Sequence, residues 1–212
     1  MTSIMTNKPT IFIIDDDEGI RDGLTMLLES IGQTCCSFDS ATSFLKAYNE
    51  NMSGCIVLDI RMPKMSGLEL QRKLNELKCL LPMIFITGHG DIPMAVEAMR
   101  LGALDFVRKP FNEQDLIDRI NEALEFDEKR NDEVISELNL KNKFESLSKR
   151  ELDVLERVTS GVMNKVIAAE LGISERTVEV HRSHVMDKLG VKTLAELVRV
   201  KVKLEAIESA VL

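Results

Sequence analysis

The stretch CIVLD at residues 55–59 decides the fold, because four apolar residues run without a polar break and end in an aspartate. A short, fully apolar run is typical of a strand that is buried on both faces of a parallel sheet. Four further strands are predicted at Thr10–Ile14, Thr34–Phe38, Met83–Ile86 and Asp105–Arg108. Amphipathic helical patterns separate them. Residues 1–126 are therefore predicted to form an α/β domain, a doubly wound five-stranded parallel sheet with helices on both faces.

The rest of the chain is predicted to contain helices only. Ser148 and Glu151 fit a capping box, and the helical patterns Asn164–Leu171 and Glu175–Leu189 are separated by a turn that contains Gly172. Two helices joined by about three residues including glycine are the signature of a helix-turn-helix. Residues 145–212 are therefore predicted to form a small all-α domain. Its core is expected to contain Leu152, Leu155, Val158, Ile167, Leu171, Val178, Val185 and Leu189.

A charged stretch without glycine or proline, Asp127–Lys143, connects the two parts. Its apolar residues are sparse, which is typical of a solvated helix. We expect residues 127–144 to be a helical linker that continues the fifth helix, in preference to a flexible coil.

The formal net charge of −8 argues by itself against a nucleic-acid partner. The charge is unevenly distributed, however. Residues 1–140 carry 14 basic and 24 acidic side chains, whereas residues 141–212 carry 13 and 11. An acidic part joined to a mildly basic part indicates two domains with different partners and permits DNA binding by the second.

No apolar run approaches the ~18 residues that a membrane-spanning helix needs, and the N-terminal residues do not read as a signal peptide. We therefore expect a cytoplasmic protein without a membrane partner. Four cysteines, Cys35, Cys36, Cys55 and Cys79, lack metal-ligand spacing, so we expect free thiols in a reducing compartment.

Three carboxylates follow neighbouring strands of the predicted sheet. Asp15 and Asp16 come directly after the first strand, and Asp59 ends the third. Because the carboxyl ends of parallel strands meet at one edge, these groups are expected to converge there. Crowded carboxylates need a cation, and a cage of oxygen ligands is what Mg²⁺ prefers. Thr87 and Lys109 end two other strands and add a hydroxyl and a cation that can contact phosphate oxygens.

Two other interpretations of the acidic residues are open at this point. The triplet Asp15–Asp17 is compatible with a solvated loop or a helix N-cap. A phosphatase of the haloacid dehalogenase type also uses an aspartate nucleophile in a doubly wound sheet, and Asp15 and Asp17 have its spacing. That class accounts for neither the sequence LDIRMP at residues 58–63 nor the second domain.

Residues 10–126 resemble the response-regulator receiver family, which has a flavodoxin-like fold. The stretches that carry the resemblance are IIDDDEGIR (13–21), LDIRMPKMSGLEL (58–70), ITGHGDIPMAVEAM (86–99) and ALDFVRKPF (103–111), and the third is similar to FixJ-like receivers. The resemblance implies that a sensor histidine kinase phosphorylates Asp59. It implies Mg²⁺ on Asp15, Asp16, Asp59 and the backbone carbonyl of Arg61. It further implies that Lys109 pairs with the acyl phosphate, that Thr87 moves to hydrogen-bond it, and that Phe106 turns inward as a switch residue.

Residues 145–203 resemble the LuxR-type helix-turn-helix. The stretches that carry this resemblance are LSKRELDVLERVTSG (147–161), MNKVIAAELGIS (163–174), ERTVEVHRSHVMDKLGV (175–191) and TLAELVRV (193–200). The resemblance implies that the second helix of the motif enters the major groove of promoter DNA. Its base-facing positions are then Glu179, Val180 and Ser183. Contacts to phosphates or the groove are implied for Lys165, Thr177, His181 and Arg182, and Arg182 can alternatively reach a guanine.

Together these resemblances imply a response regulator that is not classed as an enzyme. Phosphorylation is expected to produce a homodimer that binds double-stranded promoter DNA and regulates transcription, as an activator with RNA polymerase as a partner. The main alternative is a phosphorelay receiver whose C-terminal module binds a protein.

Overall fold

The computed structural model of the chain describes residues 8–88 and 92–209. They belong to two compact units, Met1–Asn131 and Asp132–Leu212. Within the stretch ITGHGDIPMAVEAM (86–99), which carries part of the family resemblance, residues 89–91 lie outside the described part of the chain.

The first unit contains a five-stranded sheet in which every observed pairing is parallel. Its strands are β1 (Thr10–Ile14), β2 (Thr34–Phe38), β3 (Gly54–Asp59), β4 (Met83–Thr87) and β5 (Asp105–Arg108), in the spatial order β2-β1-β3-β4-β5. The intervening helices are α1 (Glu18–Ser30), α2 (Ala41–Ala47), α3 (Gly67–Glu76) and α4 (Ile92–Arg100), and α5 (Glu113–Glu145) follows β5. The predicted fold class is confirmed.

Two apolar cores lie on the two faces of the sheet. Side chains of successive strand residues point to opposite faces, so Ile56 and Leu58 of β3 join one core and Cys55 and Val57 join the other. All six residues of β3 are buried. This double burial explains why the strand is apolar throughout and why its terminal aspartate stands out in the sequence.

Helix α5 runs through residues 127–144, which the sequence predicted to be a helical continuation of the fifth helix. The first unit extends to Asn131, past the predicted domain end at residue 126. The reason is Asp127, which is fully buried against the start of β3.

The second unit contains the C-terminal part of α5 and the helices α6 (Lys149–Thr159), α7 (Asn164–Leu171), α8 (Glu175–Leu189) and α9 (Leu194–Ser209). Gly172 ends α7 in the left-handed conformation, which permits the tight turn into α8. Most predicted core residues are buried, but Leu152 is 39% exposed and Val154 is buried in its place. Leu152 was misassigned because it has helical spacing to Leu155 while lying at the edge of the buried face of α6.

Candidate functional site

Asp15 and Asp59 lie side by side at the carboxyl edge of the sheet. Strands β1 and β3 are hydrogen-bonded neighbours, with Ile14 in register with Leu58, and the two aspartates follow these residues. Both are buried, with exposed fractions of 2% for Asp15 and 8% for Asp59. The two aspartates line an open pocket. Asp16 is exposed and lines the same pocket, together with Asp17, Arg61, Gly88 and Lys109. Asp17 also caps α1 by accepting a hydrogen bond from the backbone nitrogen of Ile20.

The ammonium group of Lys109 bridges the two buried aspartates. Its Nζ donates to Asp15 Oδ2 at 2.8 Å and to Asp59 Oδ1 at 2.7 Å. Lys109 follows β5, two strands away from β3, so the sheet topology brings a distant cation to the carboxylates. Within the described residues, no three His, Cys, Asp or Glu side chains are clustered closely enough to hold a metal ion. The carboxylates of Asp15 and Asp59 thus lie close together, as the sequence predicted, and the ammonium group of Lys109 lies between them.

Backbone contacts fix the carboxylate of Asp59 and the loop that follows it. The backbone nitrogen of Arg61 donates to Asp59 Oδ2 at 2.6 Å. At the start of α3, Gly67 donates its backbone nitrogen to the carbonyl of Ile60. A Cβ atom on Gly67 would lie 2.3 Å from the carbonyl oxygen of Asp59. Glycine is therefore required there for the loop to pass close to the aspartate.

The acidic loop after β1 is held by Arg21, which the sequence interpretation did not single out. Its Nη1 donates to the backbone carbonyl of Asp15 at 2.9 Å, and the backbone nitrogen of Asp17 donates to Asp15 Oδ1 at 2.9 Å. The Asp15 carboxylate is therefore oriented from both the main chain and Lys109.

Burial and charge shift the pKa values of the bridged pair. Burial raises the pKa of the Asp59 carboxyl, and the charge of Asp15 adds to this, while Lys109 opposes it. For Lys109, burial acts to lower the pKa, but the hydrogen bonds to Asp15 and Asp59 outweigh it and the pKa is raised. Lys109 is thus held in its charged form beside a carboxylate that is poorly solvated.

Thr87 and Phe106 lie on the neighbouring strands β4 and β5. Thr87 ends β4 and is 4% exposed. Phe106 lies in the neighbouring strand β5 with 43% of its surface exposed. Phe106 lines a pocket with Asp115, Arg119 and Glu122 of α5.

In the second unit, helix α8 presents distinct buried and exposed faces. Val178, Val185 and Leu189 are buried in the core. The predicted base-facing residues Glu179, Val180 and Ser183 are all exposed. Ser183 lies one turn from both Glu179 and Val180, with spacings of four and three residues, so the three side chains are on one side of the helix.

The residues predicted to contact DNA phosphates are placed less uniformly. Lys165 is exposed near the start of α7, and Thr177 lies in the first turn of α8, where its hydroxyl is 2.7 Å from that of the N-cap Ser174. His181 is half-buried, and its buried Nδ1 has no hydrogen-bond partner among the residues that the structure describes. Arg182 is also half-buried and donates to Asn164 of α7 at 2.7 Å.

Glu151 holds α8 against α6 and was recognised in the sequence only as a capping residue. The predicted capping box with Ser148 is present. In addition, the Glu151 carboxylate accepts a 2.7 Å hydrogen bond from Lys188 of α8, and its side chain is 5% exposed. The hydrogen bond from Lys188 lowers the pKa of Glu151 to about 2, although burial acts to raise it.

Comparison with known proteins identifies the family of both parts. Residues 11–121 match the model of the response regulator receiver domain, and residues 145–201 match that of the bacterial regulatory proteins of the luxR family. The chain belongs to the response regulator family. It combines a receiver domain with a LuxR-type DNA-binding domain, as the sequence predicted.

Several response regulators are similar over nearly the whole length. The response regulator protein TmoT of Ectopseudomonas mendocina is 50% identical over 200 residues, which cover 93% of this chain and 90% of TmoT. The transcriptional regulatory protein FixJ of Rhizobium meliloti (strain 1021) is 45% identical over 190 residues, with coverages of 90% and 93%.

Solved structures agree with these assignments. The response regulator StyR is 47% identical with a TM-score of 0.85, and the match covers 93% of this chain and all of StyR. Full-length FixJ from B. japonicum is 40% identical with a TM-score of 0.58, covering 95% of this chain and 99% of FixJ. Across the described ranges, every helix is too short or too polar to cross a membrane.

Proposed function

We propose that this response regulator is phosphorylated on Asp59 by a sensor histidine kinase and then regulates transcription from promoter DNA. The observation that carries the proposal is the Asp59 carboxylate, which borders an open pocket while Lys109 neutralises its charge. In the reaction, an Asp59 oxygen attacks the phosphorus of a phosphohistidine. The new O–P bond replaces the P–N bond, and the imidazole leaves.

Lys109 and the neighbouring backbone are suited to this transfer. A loose phosphoryl transition state requires mainly alignment and charge neutralisation. Lys109 supplies a fixed positive charge 2.7 Å from Asp59. The backbone nitrogen of Arg61 orients the other carboxylate oxygen. After transfer, Lys109 is in position to pair with the oxygens of the acyl phosphate.

The donor set also fits the Mg²⁺ that receiver domains use. Mg²⁺ prefers oxygen ligands and keeps several waters, so it needs only one or two carboxylates from the protein. Asp15, Asp16, Asp59 and the backbone carbonyl of Arg61 would hold the ion. When bound, Mg²⁺ would neutralise charge on the phosphoryl oxygens. Lys109 would then exchange its bond to Asp15 for a bond to the phosphate.

Thr87 and Phe106 would convert phosphorylation into a change of surface. Phosphorylation adds nearly two negative charges at Asp59. We propose that Thr87 moves toward the phosphate, so that the space behind it can receive the Phe106 ring. Phe106 is exposed in the structure, and the inward movement of its ring would start from this exposed conformation.

The second unit would bind DNA through α8. In this proposal α8 lies in the major groove, where Glu179, Val180 and Ser183 face the bases. Lys165, Thr177 and His181 contact the sugar-phosphate backbone. Phosphorylation would produce a homodimer. This dimer would act in the cytoplasm as a transcriptional activator. RNA polymerase would be its protein partner. The output is a binding event, so the protein is not proposed to be an enzyme.

We place the domain boundaries with one change from the sequence prediction. The receiver would end at Asn131 rather than at residue 126, because Asp127 is part of its buried structure. The linker would then be the exposed middle of α5, before Phe144 joins the core of the C-terminal domain that extends to residue 212.

The receiver half of the proposal is tested by acetyl phosphate labelling in the presence of Mg²⁺. We expect one phosphoryl group per chain on Asp59, and no labelling of Asp59→Asn. Asp105→Asn serves as a matched control, because this half-exposed aspartate lies on β5 rather than at the pocket. Labelling that survives Asp59→Asn would overturn the assignment.

The DNA half is tested by selecting sites for the full chain from a random duplex pool in the presence of beryllofluoride. We expect substitutions at Val180 and Ser183 to change the selected bases. Lys165→Ala is expected to weaken binding to every sequence and to flatten its salt dependence. If the chain selected no sequence and its binding did not depend on salt, the C-terminal domain would instead be a protein-interaction module.

A further inference from the structure

Arg182 lies on the inner side of the proposed DNA-reading helix. It is separated from Val178 by four residues, from Val185 by three and from Leu189 by seven, and all three are buried. At 3.6 residues per turn this spacing places Arg182 on the same stripe of α8 as the core residues. Its side chain must therefore run along the surface between α8 and α7 before its charged end reaches solvent.

Asn164, the first residue of α7, holds this charged end. Arg182 Nη1 donates to Asn164 Oδ1 at 2.7 Å, and both residues are half-buried. The sequence alone does not indicate a role for Asn164, because its partner lies in the next helix. The bond fixes a long side chain that would otherwise sample many rotamers.

The partner of Arg182 differs in charge from the partners of other cations in this domain. Arg157 pairs with Glu170, Lys188 with Glu151, and Lys201 with Glu156. Among the described residues, Arg182 has no carboxylate within ion-pair distance, and a neutral amide holds it instead. Asn164 thus fixes Arg182 without neutralising its positive charge, and this charge can therefore attract an anionic ligand.

The position of the held guanidinium is also favourable for an anion. It lies at the N-terminal end of α7, where the helix dipole is positive. Within the described part of the chain, the N-cap residue Met163 makes no side-chain capping hydrogen bond at this end, and the exposed Lys165 follows Asn164. A DNA phosphate has the charge and the acceptor oxygens that match such a group.

We propose that Asn164 is a positioning residue that holds Arg182 for contact with a DNA phosphate. The inference rests on the proposed binding of DNA by α8. It assigns Arg182 to the backbone of the duplex rather than to a guanine. It also gives a DNA-binding role to Asn164, which does not itself need to touch the duplex.

The test measures affinity of the full chain with beryllofluoride for a duplex selected from a random pool, over a range of salt concentrations. Arg182→Ala should weaken binding on the order of tenfold, the loss that one charge-assisted hydrogen bond represents. It should also reduce the slope of log K against log salt by about 1. Asn164→Ala should weaken binding with an unchanged slope, because the cation remains but is no longer held.

The double variant Asn164→Ala/Arg182→Ala separates positioning from a general structural effect. We expect it to bind as weakly as Arg182→Ala alone, because Asn164 acts only through Arg182. Asn142→Ala is the control, since this exposed asparagine of α5 makes no side-chain bond within the described residues. Additive losses, or wild-type affinity of Asn164→Ala, would overturn the proposal.

Two further results would be decisive. If Arg182→Ala changed the selected bases, Arg182 would read a base and the phosphate assignment would be wrong. If wild-type protein bound DNA without salt dependence, the proposed function of the domain would fail, which is distinct from a failure of Asn164 alone.

Discussion

The buried carboxylate of Asp127 on α5 accepts a 2.8 Å hydrogen bond from the backbone nitrogen of Gly54, the first residue of β3. Ser53 Oγ and Asn131 Nδ2 donate to the same oxygen, and Arg130 pairs with the other. The far end of β3 carries Asp59. One strand therefore connects the proposed phosphorylation site with the point where α5 is fixed to the sheet.

We expect Asp127→Ala to lower the free energy of unfolding of the receiver by about 3 kcal/mol, because it leaves the partly buried guanidinium of Arg130 and the buried N–H group of Gly54 without their acceptor. Tyr48 is the only tyrosine, and the chain has no tryptophan, so tyrosine fluorescence during urea denaturation reports this domain alone. The exposed neighbour Glu128 provides the control, and Glu128→Ala should change stability by less than about 0.5 kcal/mol. Equal effects of the two variants would show that the Asp127 cluster contributes no net stability.

The sheet could be predicted from the sequence because each strand is a compact apolar run. The predicted strand limits agree closely with the structure, in which β3 begins one residue earlier, at Gly54, and β4 includes Thr87. Carboxylates at strand ends then follow from the topology alone. The position of Lys109 between Asp15 and Asp59 could not be predicted, because it depends on a side-chain conformation across two strands.

Asp127, Glu151 and Asn164 were not assigned their roles from the sequence because each acts through a partner distant in the chain. Asp127 does continue the buried stripe of Leu116, Ile120 and Ala123, with spacings of four, three and four. That periodicity indicates that Asp127 is buried, whereas the charged residues around it favour a solvent-exposed position. For Asn164 no local pattern indicates that Arg182 is its partner.

Lys109→Ala is expected to destabilise the receiver by about 2 kcal/mol without Mg²⁺, since it leaves two neighbouring buried carboxylates unpaired. Adding Mg²⁺ should restore more stability to this variant than to the wild type, because the ion would replace the missing cation. Urea denaturation followed by tyrosine fluorescence, with and without Mg²⁺, measures both effects. Lys46→Ala, at an exposed lysine of α2, should behave as wild type. A variant stabilised by Mg²⁺ no more than the wild type would argue against the ion site.

Glu151 should make the stability of the DNA-binding domain sensitive to acid. Its pKa is lowered from the ordinary 4.5 to about 2, with Lys188 as the main cause. The imidazole of His184 also lies near it, 3.8 Å from the other carboxylate oxygen. A lowered folded-state pKa stabilises the domain above pH 4.5, and this contribution is lost as the pH falls from 4.5 toward 2.

Glu151→Gln should therefore cost roughly 2 kcal/mol at pH 7, a figure reduced to allow for the solvent exposure of Lys188. The difference from wild type should shrink as the pH falls below 4.5 and vanish near pH 2. Far-ultraviolet circular dichroism, corrected for the receiver transition seen by Tyr48, follows the domain. Glu145→Gln at an exposed position of α5 is the control. A constant difference at all pH values would mean that lost packing, rather than lost charge, causes the effect.

Exposed apolar side chains occur on α4, β5 and α5, the elements that include or adjoin the proposed switch residue Phe106. Val96 and Met99 of α4 are 46% and 40% exposed, Phe106 of β5 is 43% exposed, and Phe126 of α5 is 53% exposed. Arg119, which lines a pocket together with Phe106, forms an ion pair with Asp105 at a distance of 2.7 Å. A surface that combines apolar and charged groups in this way can pair with its own copy about a two-fold axis.

We expect phosphorylation to work through this surface by shifting an assembly equilibrium. If Phe106 turns inward when Thr87 approaches the phosphate, the face changes shape, and a gain of a few kcal/mol moves most molecules into a dimer. Sedimentation should therefore show a monomer or weak dimer without beryllofluoride and a clear dimer with it. Phe106→Ala should reduce this response, whereas Met26→Ala, at a 72% exposed residue of α1, should not. Two linked DNA-binding domains would then bind adjacent half-sites more tightly without new base contacts. An unchanged mass, with DNA affinity still rising, would point instead to release of an inhibitory contact between domains.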